Sequence, residues 1–161
     1  MGIKKNSENE KIRKSVDEFY RKISQDQYRT EVSPEEVSAS LGYSSEMMER
    51  LPKGTDLGLS CGNPLENFEM ENGETLIDLG CGTGKDLFLT RIKYPDSGIL
   101  YGLDRLAEMI LKAEKIRDMK KFKNIEFKQG TLTSMPFEPE SMDKAISNCV
   151  INLEPEKQDV Y

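Results

Sequence analysis

The sequence predicts an α/β domain with a doubly wound parallel sheet, preceded by a helical segment. Three observations carry that expectation. From Gly73 onward, short apolar runs alternate with stretches of helical periodicity. A glycine-rich turn, Gly80-Cys81-Gly82-Thr83-Gly84, separates the first run from the first helix of that region. An acid, Asp104, closes the second run. Strand–helix–strand order implies parallel pairing through right-handed crossovers. The chain divides near Gly73 into a helical and loop segment at 1–72 and an α/β domain at 73–161.

Taken in order, Ile12, Val16, Phe19, Tyr20 and Ile23 recur at helical spacing and predict a helix over about 8–24 with that face inward. Ser33-Pro34-Glu35-Glu36 is a helix start: Ser33 caps, Pro34 suits the first turn, and Glu36 completes a capping box. Ser44 or Ser45 caps a short helix ending near Arg50. Residues 51–64 hold two Pro and three Gly and read as a long loop, a length often tied to function. After the Asn72-Gly73 turn, strands are expected at 75–79, 99–104, 125–128 and within 142–150. Helices are expected at 85–94 and 106–119. The basic stretch from Lys112 to Lys128 reads as a solvated helix face.

Composition removes several chemistries. The chain has no His, so a Ser/His/Asp or Cys/His triad and a His-ligated zinc site are excluded. A net charge of −6 argues against a nucleic-acid or anionic-membrane partner. Three widely spaced Cys, at 61, 81 and 149, do not read as a disulfide framework and suit a reducing compartment. No apolar run is long enough for a membrane span, and the polar start lacks a secretory h-region. Met1-Gly2 is followed by Asn6 where a myristoylation signal needs Ser or Thr. A cytoplasmic location is expected.

The glycine loop is the first candidate site. Glycine lets the backbone turn sharply and lets a ligand approach it, and the next helix offers free N–H groups. The spacing Asp78-x-Gly80-x-Gly82-x-Gly84 is not the dinucleotide fingerprint, because Lys85 stands where the third Gly is needed. Nor is it a P-loop, because Asp86 follows Lys85. It resembles the cofactor loop of class I S-adenosylmethionine-dependent methyltransferases, with their Rossmann-like sheet. The resemblance implies that Asp78, Gly80, Gly82 and Gly84 receive the methionine part of S-adenosylmethionine. It also implies that Asp104 takes the ribose hydroxyls. Asp104 read alone is equally a turn or capping residue.

Two further segments narrow the resemblance. Gly42-Tyr43-Ser44, Leu51-Pro52 and Asp56-Leu57-Gly58-Leu59-Ser60-Cys61-Gly62-Asn63-Pro64 look like the N-terminal signature of arsenite methyltransferases. Ser147-Asn148-Cys149-Val150-Ile151-Asn152-Leu153 looks like that family's second signature, and Pro155-x-Lys157 fits it. The resemblance implies that Cys61 and Cys149 hold As(III) as thiolates, with the metalloid as substrate. Leu132 and Tyr20 are implied near the cofactor. Thiolates suit a soft, thiophilic centre. Outside such segments a free Cys reads as a small buried hydrophobe.

The chain departs from this pattern in two places. Thr131 and Thr133 stand where an acid near the adenine is usual, which implies weaker cofactor binding. Strands are expected only for the order 3-2-1-4, an incomplete sheet, leaving the fourth as an apolar edge over Ala145 to Leu153. A second copy or a complementing polypeptide is expected to cover it. Two alternatives stay open: a methyltransferase for another small molecule, such as a quinone-type precursor, and a non-catalytic S-adenosylmethionine or arsenite-binding module or half of a split enzyme. A nucleic-acid methyltransferase is disfavoured by charge and by the absence of a Pro-Pro-aromatic motif at Asn148-Cys149-Val150-Ile151.

Overall fold

The structure is a computed structural model that describes residues 2–25 and 31–160. Three helices come first: α1 at Gly2–Ser24, α2 at Pro34–Ser40 and α3 at Ser45–Arg50. The α/β region follows as β1 (Leu76–Leu79), α4 (Lys85–Lys93), β2 (Leu100–Asp104), α5 (Ala107–Lys120), β3 (Ile125–Gln129) and β4 (Lys144–Ser147). Two 3-10 turns close it, at Ile151–Leu153 and Lys157–Asp159. Tyr161 lies outside the described residues.

All pairings are parallel, and the sheet order is β3-β2-β1-β4. That is the expected incomplete class I order. Period-two alternation sends Leu76, Leu100, Ile125 and Ile146 to one face, where Leu87, Phe88, Ile110, Ala113 and Ile116 of α4 and α5 cover them. Each fully buried Leu there contributes roughly 1.5–3 kcal/mol. The opposite face carries Ile77, Leu79, Tyr101 and Leu103. It is packed by Leu132, Phe137, Met142, Val150, Ile151 and Val160, which lie in connections rather than in α-helices.

Polar ties fix the strand ends. The Arg91 guanidinium donates to the carbonyls of Ser97 (2.9 Å) and Asn124 (2.8 Å), holding the approaches to β2 and β3 against α4. The Asp143 carboxylate accepts the Thr75 N–H at 2.7 Å, setting β4 beside β1. The Ser33 capping box forms as expected, and Ser44 caps α3. The basic stretch is largely solvated, with Lys115, Lys120, Lys121 and Lys123 exposed.

Several expectations need correction. Helix α1 begins at Gly2, six residues before the expected start. Its apolar face is only partly used: Ile23 is buried, whereas Ile12 and Phe19 are 44% and 42% exposed. The reason is that α1 is held largely by ion pairs. Arg13 meets Glu154 (2.9 Å) and Glu156 (2.6 Å), Asp17 meets Arg105 (3.0 Å), and Arg21 meets Glu108 (2.8 Å). Nor is Ala145 to Leu153 one extended edge. Cys149 takes a left-handed φ of 61°, the chain turns back after Ser147, and Val150 and Ile151 pack onto the sheet. No helix among the described residues is long and apolar enough to cross a membrane.

Candidate functional site

The carboxyl ends of the strands open into a crevice. Its floor is the turn after β1. Gly80, Gly82 and Gly84 adopt φ values of 82°, 52° and 87°, a region glycine tolerates. Position 80 is also closed sterically, because a Cβ there would collide with the Val150 side chain. The N–H groups of Gly80 and Cys81 donate to the Leu103 carbonyl at 2.8 and 3.0 Å, which binds the turn to β2. Helix α4 then starts at Lys85, with Gly84 as an N-cap that offers no side chain, leaving its first N–H groups toward the crevice end.

Asp104 stands across the turn. Its carboxylate accepts the Gly82 N–H and the Leu106 N–H, both at 2.9 Å. It therefore also serves as the turn residue its position suggested. Each oxygen keeps acceptor capacity for a further donor. Burial pushes its pKa up, and these two N–H groups partly oppose the rise.

Asp78, 3% exposed, sits at the sheet centre with no hydrogen-bond donor to its carboxylate among the described residues. Burial raises its pKa strongly, and neighbouring Asp86 and Asp104 raise it further. Asp86 is raised by burial but held back by hydrogen bonds from Tyr43 and Asn148. Cys81 is a buried thiol whose pKa is raised by burial and then by Asp78 and Asp104. It packs against Gly102 rather than presenting a reactive sulfur.

The crevice lining carries six carboxylates against two cations, Lys85 and Arg105. Lys85 is taken up by Asp56 at 3.4 Å, Arg105 by Asp17, and Glu154 by Arg13. Asp78, Asp86 and Asp104 are left without an ion-pair partner among the described residues. Such a site favours a cationic ligand. Leu132 (8% exposed) and Tyr20 also line it, the latter from α1, with its pKa raised by burial and by Asp104. Thr131 and Thr133 are exposed and face each other at 3.4 Å.

The two outer cysteines meet. Cys61 and Cys149 are joined as a disulfide across 88 residues, with Cα atoms 5.6 Å apart. The three Cys do not read from their spacing as a disulfide framework, and this is corrected for one pair, with Cys81 left free. The 51–64 loop folds over the end of β4, a pairing that local spacing does not show. Cys149 lines the crevice, and Cys61 is exposed at its rim.

A polar network holds that loop. Lys85 Nζ donates to Ser38 Oγ (2.6 Å) and Ser60 Oγ (3.2 Å), and lies 3.8 Å from the Tyr43 ring centroid. Ser38 Oγ donates to Asp56 (2.7 Å), and Thr83 Oγ1 donates to the Thr55 carbonyl (2.7 Å). Tyr43 OH donates to Asp86 at 2.7 Å, and both burial and Asp86 push its pKa up. Sequence reasoning assigned no role to Lys85, Asp86, Asp56 or Ser38. Asp56, Tyr43 and Asn148 lay inside the two signature segments, which was the one available signal.

The family described as "Methyltransferase domain" matches residues 70–161. The chain belongs to this methyltransferase family. It is 42% identical over 124 residues to an arsenite methyltransferase of Halobacterium salinarum, covering 77% of this chain and 32% of that protein. A human arsenite methyltransferase is 34% identical over 94 residues, covering 53% and 25%. An arsenic(III) S-adenosylmethionine methyltransferase of Chlamydomonas reinhardtii superposes with a TM-score of 0.55 at 29% identity, covering 77% of this chain and 42% of that one. The chain thus spans about a third or less of the length of the curated relatives it matches.

Proposed function

We propose that this chain binds S-adenosylmethionine in the crevice and holds As(III) between the Cys61 and Cys149 thiolates for methylation, as the cofactor-binding part of an arsenite methyltransferase. The observation that carries the reading is the meeting of those two cysteines at the end of β4, beside an acid-lined crevice. Similarity to arsenite methyltransferases supports it.

The residues present fit the cofactor. S-adenosylmethionine carries a sulfonium and an ammonium, and Asp78, Asp86 and Asp104 form an uncompensated acidic wall for that charge. Gly80, Gly82 and Gly84 let the turn take its left-handed course, and Gly82 leaves open space beside the backbone where a ligand can approach. Asp104 has acceptor capacity for ribose hydroxyls, and Leu132 and Tyr20 supply apolar walls. Residues 73–161 form the binding domain in this reading, and 1–72 close it.

The cofactor, when bound, supplies an electrophilic methyl group on sulfonium. The chain's own task is to bind and orient. Cys61 and Cys149 must be in the dithiol form to take As(III); exchange with a dithiol reductant, which is itself oxidised to a disulfide, converts the pair to that form. Thiolate-bound As(III) keeps a lone pair, so no proton has to be removed from the nucleophile. Positioning and electrostatics then carry the catalysis, and a chain without His lacks nothing essential.

The outer side of β4 pairs with no strand among the described residues, and a second copy or a complementing polypeptide covers it in this reading. The setting is the cytoplasm. Light scattering tests the assembly: a clean monomer at high concentration argues against a second copy.

Calorimetric titration of arsenite into the reduced chain tests the substrate. Binding that weakens with Cys61→Ser and with Cys149→Ser is expected, and no binding by the unaltered chain overturns the arsenic assignment. Binding of arsenite and cofactor without turnover marks a binding module or half of a split enzyme.

A further inference from the structure

Asn148 touches both sides of the cysteine pair. It precedes Cys149 in the chain, and its side chain reaches 87 residues back to Cys61. Its Oδ1 accepts the Cys61 N–H at 3.1 Å. Its Nδ2 donates to the Gly62 carbonyl at 3.0 Å. One amide group thus takes the backbone on either side of the Cys61–Gly62 peptide, as a neighbouring strand would. The same Nδ2 lies 3.3 Å from both Asp86 Oδ2 and Tyr43 OH. Asp86 sits in the first turn of α4, with both its oxygens in this network. The amide is therefore fixed from the rigid side of the crevice and grips the loop on the other.

We propose that Asn148 is a positioning residue that sets the separation of Cys61 and Cys149, so that the two sulfurs act as one preformed dithiol. The proposal rests on reading these cysteines as the soft-ligand pair of the site. Cys61 is exposed and lies in the stretch between α3 and β1, which has no regular secondary structure, so its backbone has no ladder to hold it. Cys149 is held in a left-handed conformation by the turn after β4. Lys85 holds the neighbouring Ser60 hydroxyl and Tyr43 OH reaches the Gly62 carbonyl at 3.4 Å, but the Asn148 side chain takes the Cys61 N–H itself and so ties that backbone directly to the residue before Cys149. An amide suits this task because it offers an acceptor and two donors at once. A carboxylate there lacks the donors and would face Asp86.

The test measures the dithiol without arsenic. The protein dithiol and oxidised dithiothreitol exchange to the protein disulfide and reduced dithiothreitol, and the equilibrium constant reads the effective concentration of the two thiols. Asn148→Leu should lower it by roughly tenfold, the loss of two modest hydrogen bonds to the loop. Asn148→Asp should lower it as well, and serves if the Leu variant fails to fold by circular dichroism. The alkylation rate of Cys149 in a Cys61→Ser background should change less than twofold with Asn148→Leu, because position rather than thiol reactivity is altered. An unchanged equilibrium in a folded variant overturns the proposal, and so does an alkylation rate that moves with the equilibrium. Loss of arsenite binding alone, with the exchange constant behaving as expected, overturns the arsenic reading and leaves the clamp standing.

Discussion

The crevice has two walls built on different principles. The sheet wall, Asp78 with the glycine turn and Asp104, hangs on parallel ladders and on backbone bonds to Leu103 and Gly82. The loop wall, Thr55 to Asn63, carries no regular element and is held by side chains: Lys85, Ser38, Asp56, Thr83 and Asn148. A ladder spreads its support over many equivalent backbone groups. A side-chain network concentrates it, so single substitutions reach further in the loop wall.

Substitutions can break or sharpen that contrast. The largest effect is expected in the loop wall. Lys85→Met removes the cation from a pocket where the Lys and Asp56 side chains are each 9% exposed. Leaving Asp56 uncompensated should cost about 3 kcal/mol of stability in a denaturant titration. A loss below about 1 kcal/mol would mean the loop stands without its buried charge pair. In the sheet wall, Gly80→Ala should cost about 2 kcal/mol, from the left-handed φ and the collision with Val150. Thermal unfolding measures it, and an unchanged midpoint contradicts the steric account.

The sheet wall also titrates. Burial raises the pKa of Asp78 strongly, and raises those of Asp104 and of Asp86, at the start of α4, against the hydrogen bonds they accept. Their stability contribution is therefore full at acid pH and lost as pH rises through those raised values. A bound cation needs them ionised, so affinity for S-adenosylmethionine should run the opposite way. It should be full above the raised values and fall by roughly tenfold as pH drops through them. Calorimetry over a pH series checks the sign, and tighter binding at acid pH would contradict it. The smallest effect is expected at the joint between the walls. Thr83→Val removes one buried bond to Thr55 and should cost about 1 kcal/mol in the same denaturant titration.

The same contrast explains what the chain reveals as text. The sheet wall is written in local spacing: alternating apolar runs, three glycines two apart, and an acid at the end of the second strand. Ser33-Pro34-Glu35-Glu36 likewise states its own helix start. The loop wall is not local. Tyr43 meets Asp86 across 43 residues, Lys85 meets Ser38 across 47, and Cys61 meets Asn148 across 87. Lys85, Asp86 and Ser38 read in isolation as ordinary polar residues, and Tyr43, Cys61 and Asn148 stand out only through the two signature segments. Helix α1 misleads for a related reason: its apolar face predicts burial, whereas ion pairs hold it and leave Ile12 and Phe19 in solvent.

In the proposed function, the acid-lined crevice under the loop receives S-adenosylmethionine through Asp104. Calorimetric titration of S-adenosylmethionine into the unaltered chain and into Asp104→Ala tests it most directly. One-to-one binding is expected for the unaltered chain and none detectable for Asp104→Ala, with both folded by circular dichroism. Equal binding by the two, or no binding by either, would contradict it.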